Sequence, residues 1–275
     1  MPELPEVEFA ASRLREAVLG HTIALVETLH PAQARHLPPS ACLALVGQRI
    51  ERIDRRAKVQ LLHLSDGAVL EVHFRMTGDW EFTSVGEAPP RLERVRLDTG
   101  EGTRVSLVDG RAFSVVRRHA PGAFPGVRAG PEPLSDAFSP DVLHAAIRTR
   151  RAPIKAVLLD QQVVAGVGNI YASEALWEAR VHPETPANAL SRARVARVHD
   201  AIRDVLRTAP TGRYWERRDV RGNAVSEDEI WRVYGRAGAP CTRCGSHIVV
   251  ATVSGRSTFW CRRCQRATSP RAAHP

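Results

Sequence analysis

Seven of the residues from Ala120 to Ser135 are proline or glycine (Pro121, Gly122, Pro125, Gly126, Gly130, Pro131 and Pro133), a density that neither a helix nor a central strand accepts. The stretch reads as a linker, and the apolar pattern changes across it. Before it, from about residue 23 to 117, apolar positions alternate, as in Leu70/Val72/Phe74, Val95/Leu97 and Val105/Leu107, with turn signals at Ser65-Asp66-Gly67 and Thr99-Gly100. This predicts an antiparallel sheet domain. It is preceded by a helix over 5–19, with Pro5 in the first turn, Val7, Ala11, Leu14 and Val18 on one face, and Gly20 as the stop. After the linker the period is helical over 141–150, 153–162, 170–180 and 191–208, and Ser139-Pro140 supplies an N-cap and first turn. The expected organisation is 1–119 as an antiparallel sheet domain, 120–135 as linker, 136–229 as a helical domain and 230–270 as a small terminal module.

That module carries Cys241-x2-Cys244-x16-Cys261-x2-Cys264, two knuckles separated by enough chain for a β-hairpin, the spacing of a tetrahedral zinc ribbon. Two disulfides are the alternative, which a reducing compartment disfavours. Four thiolates leave no open coordination position, so the metal is expected to be a single structural Zn2+. Cys42 is read as a core thiol. No His-Glu-x-x-His pattern supports a zinc hydrolase.

Charge points to a polyanionic partner. Lys+Arg (39) exceed Asp+Glu (30), giving a net charge of +9, and from Ile230 onward there are eight arginines and no carboxylate. Only Lys58 and Lys155 are lysine. Coding bias explains an arginine-rich chain; a role for an amine able to lose its proton is the other explanation for these two, with chance retention as the plain one. No run approaches the ~18 apolar residues of a membrane span, and the acidic start is unlike a secretory signal. A cytoplasmic protein with no membrane partner is expected.

Removal of Met1, which the small second residue permits, would give Pro2 a secondary α-amine next to Glu3 and Glu6. With a reference pKa of about 7.8, roughly a tenth of such an amine is unprotonated at pH 7. Its attack on a sugar aldehyde carbon yields a cationic iminium, an electron sink for elimination. Glu3 could move protons there, and Glu6 could hold the carboxylate geometry. Acidic residues and proline at a helix start also have an ordinary structural explanation in the helix dipole.

Here the residues resemble a known family, the formamidopyrimidine-DNA glycosylase / endonuclease VIII repair enzymes. The resemblance rests on Met1-Pro-Glu-Leu-Pro-Glu-Val-Glu8, Arg55-Arg-Ala-Lys58, Met76-Thr-Gly78, Gly130-Pro-Glu-Pro-Leu-Ser135, Ile154-Lys155, Gly166-Val-Gly-Asn-Ile-Tyr-Ala-Ser-Glu174, Val233-Tyr-Gly-Arg236 and Arg256-Ser-Thr-Phe-Trp-Cys261. It implies an α+β multidomain fold: an N-terminal helix and antiparallel β-sandwich, then a helix-two-turn-helix domain with a C-terminal zinc ribbon, DNA lying in the cleft. It also implies a bifunctional DNA glycosylase/AP lyase of base-excision repair that excises 8-oxoguanine and formamidopyrimidines by a Pro2 Schiff base and β,δ-elimination. Glu3 would be the general acid/base, Lys58 would assist β-elimination and Arg256 would serve δ-elimination. Asn169, Tyr171, Arg150 and Lys155 would contact DNA. Met76, Arg111 and Phe113 would fill the void left by the extruded base, the trio of the formamidopyrimidine type. The partner would be damaged double-stranded DNA, bound by a monomer associated with a bacterial nucleoid. Alternatives are an oxidised-pyrimidine-specific enzyme and a non-catalytic damage-binding protein on the same scaffold.

Some positions depart from the family's pattern. The usual Asp-Pro-Arg-Arg-Phe-Gly is Asp109-Gly-Arg-Ala-Phe-Ser114, which implies a softer wedge loop. Arg75 replaces a common glycine and Leu92 a DNA-contacting histidine. The lesion-capping segment reads Thr211-Gly-Arg-Tyr-Trp-Glu-Arg-Arg-Asp219.

Overall fold

The computed structural model describes residues 1–213, 216–218 and 230–267. The chain divides into two compact units, with a boundary between Val127 and Arg128 inside the proline- and glycine-rich stretch; the first unit also takes the short segment 212–216.

The first unit opens with helix α1, Leu4–Val18, one residue earlier than the sequence predicts because Glu3 takes the N-cap position. Its buried face is Leu4, Val7, Ala10, Ala11, Leu14 and Val18. Strand β1 (Ile23–Thr28) follows, then two short helices, α2 (Pro31–Ala34) and α3 (Pro39–Leu43), each started by a proline. Their apolar periodicity is too short to read from sequence. Strands β2 (Ile50–Arg56), β3 (Val59–Leu64), β4 (Val69–His73), β5 (Asp79–Ser84), β6 (Glu93–Thr99), β7 (Thr103–Val108) and β8 (Val115–His119) complete two four-stranded sheets, ordered β1-β6-β7-β5 and β2-β3-β4-β8. Every pairing is antiparallel.

Both sheets send alternate side chains into one core with α1: Val95, Leu97, Val105 and Leu107 from one, Ile53, Leu62, Leu70 and Val72 from the other. A polar tie crosses this core, where the Trp80 indole N–H donates to Gln60 Oε1 at 2.9 Å, and Trp80 meets Phe74 edge-on at 5.5 Å. Asp98 and Arg104 pair across β6 and β7 at 2.7 and 2.8 Å, both buried, so each charge is matched where water cannot solvate it.

The second unit contains α4 (Pro140–Ile147), α5 (Ile154–Leu158), α6 (Asn169–Glu178) and α7 (Arg192–Arg207). Ser139 and Ser191 cap α4 and α7 by accepting from the N–H of Val142 and Arg194. Helix α5 is shorter than the predicted 153–162: Asp160 takes the N–H of Gln162 at 2.9 Å and turns the chain out of the helix. At Gly130 an added Cβ would collide with the Gln162 carbonyl oxygen, so only glycine fits there. Strands β9 (Thr211–Arg213) and β10 (Glu216–Arg218) pair as a ribbon. Strands β11 (Ile248–Val253) and β12 (Arg256–Cys261) form a hairpin closed by Ser254 and Gly255, both at positive φ. Among the described residues no helix is long and apolar enough to cross a membrane.

Glu174 on α6 joins the helices to the hairpin module. Its buried carboxylate accepts from the backbone N–H groups of Arg232, Val233 and Tyr234 at 2.9, 2.9 and 2.8 Å. Glu174→Ala takes the acceptor from one buried and two partly buried donors, at about 1–3 kcal/mol for the buried one and less for each of the others. The expected outcome is a loss of roughly 3 kcal/mol or more in unfolding free energy, measured by denaturant titration.

Candidate active site and DNA-binding elements

In the first unit the chain's start is held inside the protein. Pro2, Glu3 and Glu6 are buried, and the Glu3 backbone N–H donates to Glu6 Oε2 at 2.8 Å. Glu6 thus occupies its first-turn position both as a favourable charge at the helix N-terminus and as the acceptor that fixes the Glu3 backbone. Next along the helix, Glu8 receives Arg15 at 2.8 Å and Arg55 at 2.7 Å. Burial works to raise the Glu8 pKa, but these two guanidinium groups together bring it below the usual carboxylate range.

Lys58 lies at the turn between β2 and β3, directly after Ala57 at φ +52°, and is 7% exposed. Its charge acts on His73 at the end of β4. Burial first, then the cations Arg75 and Lys58, push the His73 pKa down to about 4. The His73 Nδ1 accepts the Arg75 N–H at 2.9 Å, which requires the unprotonated ring atom. Sequence reasoning missed His73, although its place three residues before Met76 was the available signal.

The positions matching the void-filling trio also lie in this unit. Met76 is half-buried, while Arg111 and Phe113 are exposed, the Arg111 guanidinium resting 4.7 Å over the Phe113 ring. The loop that the Asp109–Ser114 sequence suggests is softer is instead pinned. Asp109 is 1% exposed and accepts from Thr77 Oγ1, from the Arg111 N–H at 3.1 Å and from the Ser114 N–H at 2.7 Å. Gln33, buried on α2, donates to the Ser114 carbonyl and hydroxyl. Hydrogen bonds replace the stiffness a proline would give. Arg75 and Leu92 have φ +58° and +65°, so the arginine stands at a backbone position that suits glycine. Gly78 is fixed by sterics, since a Cβ would meet the Phe74 carbonyl oxygen at 2.9 Å.

In the second unit Asn169 begins α6 behind Gly168. Its Nδ2 donates to the Ser257 carbonyl at 3.0 Å, while its Oδ1 is buried without a hydrogen-bond partner. The turn before it is braced by Gln161, which accepts from the Gly166 N–H at 2.8 Å and donates to the Leu159 and Val167 carbonyls. Nothing in the sequence singles out Gln161.

Lys155 is 1% exposed and donates to the Ser257 carbonyl at 3.0 Å and to Thr258 Oγ1 at 2.8 Å. Tyr171 is wholly buried and meets Trp231 edge-on at 5.5 Å. Both side chains therefore support the framework around Asn169 and the hairpin. Arg150 is half-buried and ion-paired with Asp160 at 2.7 Å. Arg256 is exposed and opens β12, next to the Ser257 carbonyl that Lys155 and Asn169 hold.

The Sγ atoms of Cys241, Cys244, Cys261 and Cys264 all lie within 4.8 Å of one another. Tetrahedral Zn–S bonds of about 2.3 Å require S···S separations of about 3.8 Å, which this cluster meets with little adjustment. Donors already point at sulfur: the Trp177 indole N–H reaches Cys241 Sγ at 3.4 Å and the Cys264 N–H reaches Cys261 Sγ at 3.4 Å. This is a structural zinc site. Of the expected lesion-capping segment, Tyr214, Trp215 and Asp219 lie outside the described residues, as does Arg271.

Comparison with known proteins agrees with this layout. Residues 1–116 match the family profile described as the formamidopyrimidine-DNA glycosylase N-terminal domain, residues 129–213 its H2TH domain, and residues 238–267 a zinc finger found in FPG and IleRS. The formamidopyrimidine-DNA glycosylase of Chloroflexus aurantiacus is 41% identical over 272 residues, covering 96% of this chain and 98% of that one. That of Sphingopyxis alaskensis is 41% identical, covering 97% and 100%. Among solved structures, a Lactococcus lactis enzyme in complex with DNA containing Fapy-dG superposes with a TM-score of 0.86 at 29% identity, covering 96% of this chain and 100% of that one. The Thermus thermophilus protein gives 0.83 at 36% identity, covering 98% and 100%. With every segment of its architecture matched, the chain belongs to the formamidopyrimidine-DNA glycosylase family.

Proposed function

We propose that this protein is a base-excision DNA glycosylase with AP lyase activity, acting on oxidised purines in double-stranded DNA as a monomer in the bacterial cytoplasm, at the nucleoid. The observation that carries the reading is the buried Pro2-Glu3 pair at the start of α1, with the Glu3 backbone fixed by Glu6. Once Met1 is removed, the Pro2 nitrogen attacks the anomeric carbon of the damaged nucleotide, the C–N bond to the base breaks, and the base leaves with a proton. The sugar ring opens to an iminium. Loss of a 2′ proton then expels the 3′ phosphate, a second elimination expels the 5′ phosphate, and water returns the Pro2 amine.

Glu3 is assigned the proton transfers at the sugar and Lys58 the support of β-elimination; Arg256 is assigned to δ-elimination from the zinc hairpin. Met76, Arg111 and Phe113 occupy the gap in the duplex. Asn169 and Arg150 hold phosphates, and Lys155 and Tyr171 act from the interior by fixing the elements that carry these contacts.

Borohydride trapping of the Met1-free protein on a duplex with 8-oxoguanine opposite cytosine, beside an abasic duplex, tests the reading. Trapping on both supports it. Trapping on the abasic duplex alone moves the substrate to oxidised pyrimidines or other lesions, and trapping on neither leaves a damage-binding protein. Pro2→Gly is expected to cut excision sharply, and Glu3→Gln to slow it by about 10²–10⁴-fold, while lesion binding persists in gel-shift titration.

Chelation of zinc, or Cys244→Ser, is expected to weaken DNA binding, because the hairpin presenting Arg256 loses its fold. Normal affinity with lowered zinc content would contradict this. His73 should titrate near pH 4 in the free protein when followed by NMR. Its folded pKa lies below the unfolded value of about 6.5, so the stabilisation is complete above that pH and is lost as pH falls through about 4.

A further inference from the structure

Two loops carry the residues assigned to fill the duplex, and one buried side chain joins them. Met76 precedes Thr77, whose hydroxyl donates to Asp109 Oδ1; that oxygen also accepts the Arg111 N–H at 3.1 Å. The other carboxylate oxygen accepts the Ser114 N–H at 2.7 Å, closing the loop on the far side of Phe113. Around this centre, Arg94 Nε donates to the Asp109 carbonyl at 2.7 Å, the Asp109 N–H donates to the Leu92 carbonyl at 3.1 Å, and Gln33 holds Ser114. Asp109 and Gln33 are essentially inaccessible at 1% and 0%, whereas Phe113 is 52% exposed. The rigid part of the loop is thus inside and the working part outside.

We infer that Asp109 is a positioning residue that holds the Met76 loop and the Arg111–Phe113 loop in one register, so that wedge insertion and opposite-base reading occur together. The inference rests on the proposed function. A single carboxylate accepting from both loops fixes their spacing without relying on the backbone at Gly110. Burial works to raise its pKa, but the Thr77, Ser114 and Arg111 donors bring it below the ordinary aspartate value, so the acceptor stays charged at neutral pH. Charge-assisted bonds of this kind set geometry more strongly than neutral ones. Asp109 itself faces inward and needs no contact with DNA.

Three variants and four readouts test this. Thr77→Val removes the link to the Met76 loop alone, Asp109→Ala removes all three bonds, and Asp109→Asn keeps an acceptor for Thr77 and Arg111 while losing the one for Ser114. In the free protein, amide hydrogen exchange at Arg111 and Ser114 should rise by about tenfold or more in Asp109→Ala, and at Ser114 mainly in Asp109→Asn. On DNA, single-turnover excision of 8-oxoguanine should slow by about tenfold or more in Asp109→Ala, and the preference for cytosine over adenine opposite the lesion should shrink. Thr77→Val should slow excision less and leave Ser114 exchange unchanged. Cleavage of a preformed abasic site should stay within about twofold, since no stacked base has to be displaced.

Unchanged exchange in Asp109→Ala would overturn the inference, and so would an equal loss of excision and abasic-site cleavage, which would mark a general structural defect. A parent protein that excises no oxidised base would defeat the proposed function instead, and the exchange measurement would still decide the role of Asp109.

Discussion

The burial of one helix face is the constraint on which the proposed chemistry depends. Leu14 and Val18 enter the core shared by both sheets, and Leu4, Val7 and Ala11 extend that buried stripe towards the N-terminus. Burying such side chains contributes about 1.5–3 kcal/mol for each large one, enough to keep the first turn from fraying. A terminal proline amine has little to orient it locally. Here its neighbours Glu3 and Leu4 are the cap and first residue of a helix that cannot rotate without exposing its apolar face. The hydrogen bond from the Glu3 N–H to Glu6 then fixes the backbone next to Pro2. Hydrophobic packing supplies the position, and the polar contact holds it.

Much of this is legible in the sequence, for a physical reason. Periodicity reports burial, so the antiparallel strands, the long helices and the apolar side of α1 follow from the sequence. The four cysteines report a metal through spacing alone. Motifs in the family's order single out Lys58, Met76, Asn169 and Arg256 as candidates. What the sequence hides is long-range hydrogen bonding by single polar residues. Gln33 and Ser114 are 81 positions apart, and Glu174 and Val233 are 59 apart. A buried glutamine or glutamate has no periodic signature, and each looks like solvated surface until the fold brings its donors in. The short helices α2 and α3 are obscure for a related reason: a single turn has no period to read.

The wedge loop shows how misleading a local substitution can be when read without partners. Losing a proline and a glycine from Asp109–Ser114 suggests a more mobile loop, since both restrict or require particular backbone states. Yet the serine supplies a hydroxyl to Gln33 and an N–H to Asp109, while Ala112 accepts φ +53°. Rigidity in this loop comes from a few buried acceptors and not from backbone chemistry. The same substitution in a protein lacking Gln33 would have the opposite consequence.

A similar argument bears on why just two lysines remain in a chain with 39 basic residues. Both are buried, Lys58 at 7% and Lys155 at 1% exposure, where arginines of this chain are mostly exposed or ion-paired. A guanidinium brings five donors in a planar fork, and leaving some of them unpaired in the interior is costly. An ammonium is compact and needs fewer acceptors. Lys155 meets that need with the Ser257 carbonyl and the Thr258 hydroxyl, on the strand that Arg256 opens. Coding bias can convert exposed lysines to arginine at little cost, but at Lys155 the two acceptors suit a compact ammonium. At Lys58 the ammonium stands near His73, whose ring is kept neutral by burial first and then by the neighbouring Arg75 and Lys58 charges.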